Sequence, residues 1–294
     1  MPIIDGIEAP ERAVDTLGLI DPKMPMTHTP YLMHLARALR AVVGRELHKF
    51  LRQPSRLASS LVRPLLWFVV FSAGFHNVFG GAVMAPYDRY VDYQEYMLPG
   101  LLGMIALFNG MQSSLGMVYD REMGVMRLLL TAPLPRGWLL GFKLAGSTAL
   151  SLLQMLVFLA VGWALGVTPT WGWLAAVPAM VLGATMLAAL GLALSVHIRQ
   201  LENFAGTMNF VIFPLFFIST ALHPLARFQE AGALWLYALG QINPFTSAVE
   251  LMRYALQGQF HASAALAVGL TTVVSFALAL RGYDPQRGWV RQRA

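Results

Sequence analysis

The stretch of sequence that decides the fold runs from residue 144 to residue 198 and reads LAGSTALSLLQMLVFLAVGWALGVTPTWGWLAAVPAMVLGATMLAALGLALSVHI. These 55 residues include no Asp, Glu, Lys or Arg. As a single helix they would extend roughly 80 Å, against about 30 Å for the hydrocarbon core of a bilayer, so the chain must fold back. Thr168-Pro169-Thr170-Trp171-Gly172-Trp173 supplies turn residues and interfacial tryptophans. The stretch therefore predicts two transmembrane helices joined by a hairpin.

The composition of the whole chain is that of a polytopic membrane protein. Of its 294 residues, 56% are hydrophobic and 12% are charged, whereas soluble proteins have about 25% charged residues. The net charge of +6 comes mostly from basic residues beside apolar runs, which indicates membrane orientation rather than nucleic-acid binding. With no cysteine, the chain has no disulfide framework and no thiolate metal site.

Further charge-free windows predict an all-α protein with six transmembrane helices and both termini in the cytoplasm. The predicted spans cover about residues 64–86, 97–118, 143–166, 174–196, 203–222 and 260–280. This arrangement leaves only Arg89, Arg227 and Arg253 outside, so 18 of the 21 Lys and Arg residues (21 less 3) face the cytoplasm.

The window from Ala231 to Val249 is also free of charge, but the positive-inside rule argues against a seventh crossing. A crossing there would place the basic residues of the C-terminal tail outside. The window is interrupted by Gly232, Gly240 and Asn243-Pro244. We therefore predict a re-entrant segment of two half-helices between spans five and six.

The ends of the chain are predicted to lie outside the six-span domain of residues 64–281. Residues 1–30 are expected to form a flexible cytoplasmic tail, and residues 282–294 a short basic cytoplasmic tail. Residues 31–63 combine apolar positions at helical spacing with six arginines and lysines before Arg63, which predicts an amphipathic helix lying in the headgroup layer. A face that contacts a partner is the alternative for this helix.

The sequence lacks the motifs of an enzyme. Gly137 to Leu144 does not have the spacing or the hydroxyl of a phosphate-binding loop. The seven histidines show no metal-ligand spacing, and no G-x-S-x-G elbow occurs. We therefore predict no catalytic residue, no metal site and no cofactor bound by this chain.

Polar residues within the predicted spans have two interpretations. Such residues usually turn inward in a membrane protein, and hydrogen bonds between helices explain most of them. Alternatively, some of them line a substrate path, and the candidates are Asn109, Gln112, Asn209 and Thr220. No predicted span contains a carboxylate, which argues against a carrier driven by protons or sodium and favours an external source of energy.

The charged loop from Asp120 to Arg136 separates the second and third predicted spans, and it resembles the cytoplasmic coupling helix of ABC type-2 permeases. The resemblance includes Arg121-Glu122, Gly124, Leu128 to Leu130, Pro133-Leu134 and Lys143. Three further stretches are similar to that family in the same order: Tyr93 to Leu102, Met208 to Ser219, and Asn243-Pro244-Phe245 followed by Arg253. Together they cover roughly residues 40 to 280.

The resemblance implies the permease subunit of an ATP-driven exporter in a bacterial cytoplasmic (inner) membrane. Its partners would be a separate ATPase subunit, which binds ATP and Mg, a second copy of the chain, and membrane lipid. The residues implied in coupling are Asp120, Arg121, Glu122, Gly124, Arg127 and Pro133. The chain departs from the family pattern at Val125 and Arg127, so its ion pairs with the ATPase are expected to differ.

The predicted external residues Asn243, Pro244 and Arg253 also have a local explanation. Asn243-Pro244 fits a turn that starts a helix as well as it fits a substrate contact, and Arg253 is spaced to pair with Glu250 on one helix.

Two rival functions stay open at this stage. One is an ion-driven secondary carrier, and the other is a membrane enzyme that modifies lipid.

Overall fold

The computed structural model describes residues 31–52, 54–75, 85–87, 89–123, 136–168, 172–198 and 201–282. All regular structure in these ranges is helical, as the sequence predicts. The chain divides into two compact units, residues 1–38 and 39–294. The first contributes the beginning of one helix to the described residues, and the architecture below is that of the second.

Ten helices lie in the described part of the chain. They are α1 (Tyr31–Leu51), α2 (Pro54–Phe75), α3 (Tyr93–Glu122), α4 (Arg136–Ala164), α5 (Gly172–His197), α6 (Leu201–Phe217), α7 (Ala226–Glu230), α8 (Leu234–Ile242), α9 (Pro244–Leu256) and α10 (Ala262–Gly282). The single amphipathic helix predicted over residues 31–63 is therefore two helices. Pro54 explains the break, because proline favours the first position of a helix and disfavours helical backbone in the residue before it.

Helix α5 lies at the centre of the unit and packs against α3, α4, α9 and α10. Its residues are apolar around the whole circumference, which is typical of a helix surrounded by protein core or by lipid. Ala176, Met180 and Leu187 are completely buried. Small residues allow α3 to approach closely, since Gly110 of α3 lies directly against the backbone at Ala188. The two halves of the 55-residue apolar stretch are α4 and α5, and they pack on each other.

Four helices in the described residues are long and apolar enough to cross a membrane: Tyr93–Glu122, Gly137–Ala164, Trp173–Val196 and Ala262–Gly282. The first and fifth predicted spans fall on the shorter apolar helices Leu61–Gly74 and Leu201–Phe217. The second of these rises about 26 Å, slightly less than the hydrocarbon core of about 30 Å. Residues 76–84, the end of the predicted first span, lie outside the described residues, so the six-span count stays a prediction.

The segment predicted to be re-entrant contains two consecutive short helices, α8 and α9, which meet at Asn243. Gly232, just before α8, has a φ of 74°, a backbone conformation that glycine adopts without steric cost. Helix α8 rises only about 14 Å, so it does not cross a bilayer by itself. The predicted interruption is present, and the position of these helices relative to the membrane stays a prediction.

Candidate functional site

A cleft of about 510 Å³ lies between α2, α3 and α4 and reaches Leu201 at the beginning of α6. Helix α3 lines it from Met104 to Tyr119, which is a rise of about 22 Å along the helix axis. Clefts of roughly 300–1,000 Å³ hold drug-sized ligands. This cleft is the candidate functional site.

Two of the four residues predicted for a substrate path, Asn109 and Gln112, line this cleft. Asn109 Nδ2 donates a hydrogen bond of 2.8 Å to Oε1 of Gln154 on α4, and both side chains are buried. Gln112, one helical turn further along α3, is exposed. Asn109 therefore agrees with both interpretations given above. It forms a hydrogen bond between two helices, and it also lines the cleft.

Arg63 is the charged side chain among the described residues of the cleft lining. Its guanidinium carbon lies 4.0 Å from the centroid of the Phe108 ring on α3, a cation–π contact. The sequence analysis assigned Arg63 to the end of an interfacial helix and did not predict it as a site residue. One feature of the sequence could have indicated this role: Arg63 directly precedes the apolar run that begins at Pro64.

The other two predicted path residues, Asn209 and Thr220, do not line the cleft. Asn209 is exposed on α6. Thr220 is buried beyond the end of α6, where its carbonyl oxygen accepts a hydrogen bond of 3.2 Å from the Tyr96 hydroxyl. The structure thus places only half of the predicted path residues in the cleft.

Arg253 on α9 is almost completely buried, with 2% of its surface exposed. Its guanidinium pairs with Glu250 and donates hydrogen bonds to the carbonyl oxygens of Thr220 and Tyr96. The same group stacks on the Tyr96 ring at 4.2 Å. The pairing of Arg253 with Glu250 is confirmed, and Arg253 holds α9 to α3 and to the chain after α6.

A second set of contacts ties the first turn of α3 to the end of α9. Arg89 Nη2 lies 2.8 Å from both carboxylate oxygens of Glu95, and Gln257 Nε2 donates a hydrogen bond of 3.2 Å to Glu95 Oε1. Burial raises the pKa of the nearby Tyr87 phenol to about 12, although the charge of Arg253 opposes this rise. The phenol therefore stays neutral at physiological pH.

Asn243 is the N-cap of α9, because its side-chain oxygen accepts a hydrogen bond of 2.9 Å from the Phe245 amide. Pro244 occupies the first position of the helix. Asn243 Nδ2 also donates to the carbonyl oxygens of Leu215, at 2.9 Å, and Ile218, at 2.6 Å. Both ends of the amide are thus used within the protein, as expected for a turn that starts a helix.

Replacing Asn243 with alanine is expected to destabilise the protein by about 2–3 kcal/mol, since it removes the helix cap and leaves two partly buried carbonyl oxygens without their donor. Asn243→Asp keeps the cap acceptor but places a carboxylate against those carbonyls, so it should be at least as harmful. Asn209→Ala, on the exposed face of α6, is the control and should change stability by less than about 0.5 kcal/mol. Thermal unfolding in detergent tests this, and an unchanged Tm for Asn243→Ala would contradict it.

A cluster of charges joins the end of α3 to α4 and α5. Asp120 Oδ2 lies 2.6 Å from Lys143 Nζ on α4. Arg121 donates to the carbonyl oxygens of Ser195, at 3.2 Å, and of Ile198, just beyond α5. A cation at this position satisfies terminal carbonyls and complements the helix dipole. The cluster ties the C-terminal ends of α3 and α5 to each other and to α4.

Asp120, Arg121 and Glu122 are the described members of the predicted coupling residues, and their part in coupling stays a prediction. These residues form the last turn of α3, and Asp120 and Arg121 turn inward because a lysine and a helix C-terminus attract them. Glu122 is exposed. Gly124, Arg127 and Pro133 lie outside the described residues, so the coupling helix itself stays a prediction.

The segment of the chain that matches known proteins includes α2, α3 and α4, the three helices that form the cleft. Residues 37–256 match the model of the family described as ABC-2 type transporter. The transport permease ycf38 of Porphyra purpurea is 30% identical over 234 residues, which are 76% of this chain and 75% of that protein. The daunorubicin resistance ABC transporter permease protein DrrB1 of Streptomyces coeruleorubidus is 26% identical over 234 residues, 77% of this chain and 75% of that protein.

Proposed function

The chain belongs to the ABC-2 type transporter family, and from this premise we propose that it is the permease subunit of an ATP-driven exporter, coupled to a separate ATPase subunit. Family membership makes it a membrane subunit of an ABC transporter. The observation that carries the finer proposal is the cleft, which combines hydrogen-bonding side chains with apolar walls between three helices. Such a cleft can bind a substrate without any catalytic residue.

Helix α3 connects the cleft to the charged cluster at its end. The last α3 residue of the cleft lining, Tyr119, is followed directly by Asp120 and Arg121, which bond to α4 and α5. A continuous helix transmits a displacement along its axis because its backbone hydrogen bonds are all internal. A push on the chain that follows Glu122 would therefore move the cleft wall together with α4 and the end of α5.

The energy source in this proposal is ATP with Mg, bound by the partner ATPase. The chain has no phosphate-binding loop, and no carboxylate lies among the described cleft residues for an ion-driven cycle. The segment after Glu122 is proposed as the coupling helix that contacts the ATPase, and Gly124, Arg127 and Pro133 belong to it.

The membrane arrangement of this proposal follows the charge distribution. Six spans with both termini in the cytoplasm place 18 of the 21 basic residues inside, as the count above gives. We place the protein in a bacterial cytoplasmic membrane as a homodimer surrounded by lipid. Helix α10 turns Leu266, Leu270 and Val273 outward, with 62–72% of each side chain exposed, which suits a surface in contact with lipid.

Coupling is tested with Glu122→Gln in the complex of the permease and its ATPase in liposomes. The wild type should purify together with an ATPase subunit and transport only with ATP. Loss of the exposed charge is expected to lower the ratio of transport to ATP hydrolysis by about fivefold or more. A factor of about five is the lower end of the range usual for coupling between two sites. Glu230→Gln is the control, because Glu230 is also an exposed acid and lies on α7.

Two outcomes would contradict the proposal. Transport by the chain alone, without any ATPase, would exclude ATP coupling. Collapse of transport on addition of a proton ionophore, with ATP still present, would favour an ion-driven carrier.

A further inference from the structure

We propose that the cleft binds an amphiphilic anion, with Arg63 as the residue that holds its charged head group. This inference deepens the proposed transport function and rests on it. It names the chemical class of the substrate, which neither the family nor the relatives decide for this chain.

The position of Arg63 is the first observation. The charge-free stretch of α3 runs from residue 96 to residue 119, so Phe108 lies at its middle. Because the Arg63 guanidinium lies 4.0 Å from the Phe108 ring, the charge lies level with the centre of an apolar helix. The Arg63 side chain is exposed and lines the cleft, so its charge is accessible to a ligand there.

Among the residues that the structure describes, none that lines the cleft around Arg63 carries a negative charge. The described cleft lining holds no Asp or Glu, and the described contact of the guanidinium is the aromatic face of Phe108. Asp120, the nearest acid along α3, lies beyond Tyr119 and is paired with Lys143. Because the Arg63 side chain is exposed, this cation–π contact contributes only about 0.5–1 kcal/mol. An anionic ligand would supply the missing counter-charge.

The remaining lining defines the rest of the ligand. Gln112 and the bonded pair of Asn109 and Gln154 add hydrogen-bonding groups without charge, and apolar residues such as Met104 and Ile105 continue the wall. The lined part of α3 rises about 22 Å, which suits an elongated molecule. The lining therefore favours a ligand with an anionic head and an apolar tail, and it disfavours cations.

Binding can be measured on the purified full-length protein in nanodiscs of phosphatidylcholine, with radiolabelled dodecyl phosphate as the probe. The wild type should bind the probe saturably, and dodecyltrimethylammonium should not compete. Arg63→Gln should weaken binding about tenfold or more, because a charge-assisted hydrogen bond is lost, and Arg63→Lys should retain most of the affinity. Arg40→Gln is the matched control, since it also removes an exposed charge, but from α1 and outside the described cleft lining.

A second variant keeps the test decisive if Arg63→Gln does not fold. Gln112→Glu places a carboxylate in the cleft with little change of shape, and it should weaken binding of the anion and permit competition by the cation. Wild-type affinity in Arg63→Gln or in Gln112→Glu, absence of saturable binding to the wild type, or equal competition by the cation would overturn the inference. The measurement uses neither ATP nor the ATPase, so its failure is distinct from a failure of ATP-driven transport in liposomes.

Discussion

Replacement of Arg253 with methionine is expected to destabilise the protein by about 3–5 kcal/mol, a large part of the total stability of about 5–15 kcal/mol of a typical protein. The variant keeps most of the side-chain volume but leaves Glu250 without its partner and the carbonyl of Thr220 without its charged donor. Arg253→Lys should recover only part of the loss, because one ammonium group cannot reproduce the planar fork and its stacking on Tyr96.

The chain provides a matched control for this experiment. Arg227 and Glu230 form another Arg–Glu pair three residues apart, but both side chains are at least half exposed. Arg227→Met should therefore cost less than about 1 kcal/mol. Thermal unfolding in detergent and the monodisperse yield from size-exclusion chromatography are the measurements. Equal losses of stability for the two variants would show that the burial of Arg253 does not matter.

Replacement of Gly110 with leucine is expected to prevent correct packing of α3 on α5, with a loss of about 3 kcal/mol or more. A Cβ atom at Gly110 would lie 2.9 Å from the Cα atom of Ala188 and from the carbonyl oxygen of Leu187. These are backbone atoms of the central helix, so they cannot move aside as a flexible side chain does. Gly110→Ala already introduces this clash and should lower stability by about 1–3 kcal/mol.

Gly116 is the control for this prediction, because it lies on the same helix with nothing within 4 Å of an added Cβ atom. Gly116→Ala should be neutral or stabilising by up to about 1 kcal/mol, since alanine favours the helix. Thermal unfolding of both alanine variants under the same conditions gives the comparison. A Gly110→Ala variant as stable as Gly116→Ala would refute the close contact of α3 with α5.

Several features of the site could be predicted because they depend on residues close together in the chain. The pairing of Arg253 with Glu250 and the helix start at Asn243-Pro244 follow from spacing within one turn of helix, and the structure confirms both. The family resemblance is confirmed as well, because several short motifs occurred in the right order.

Features that depend on distant residues were predicted poorly. Arg63 belongs to the cleft because α2 places it on Phe108, 45 positions later in the chain (108 less 63), and spacing gives no sign of that contact. Asn209 and Thr220 had the same polar character as Asn109 but lie elsewhere. Asp120 and Arg121 were predicted as coupling residues, and their spacing gave no sign of their contacts with α4 and α5.

The sequence alone determined the helical class, the membrane environment and the family, because each follows from hydrophobicity summed over long windows or from local motifs. Only the tertiary structure decided which helix is central, which polar residues share the cleft and which charges are buried. The physical reason is that lipid selects for apolar residues whatever their neighbours, whereas a buried charge such as Arg253 is stable only through the partners that packing brings to it.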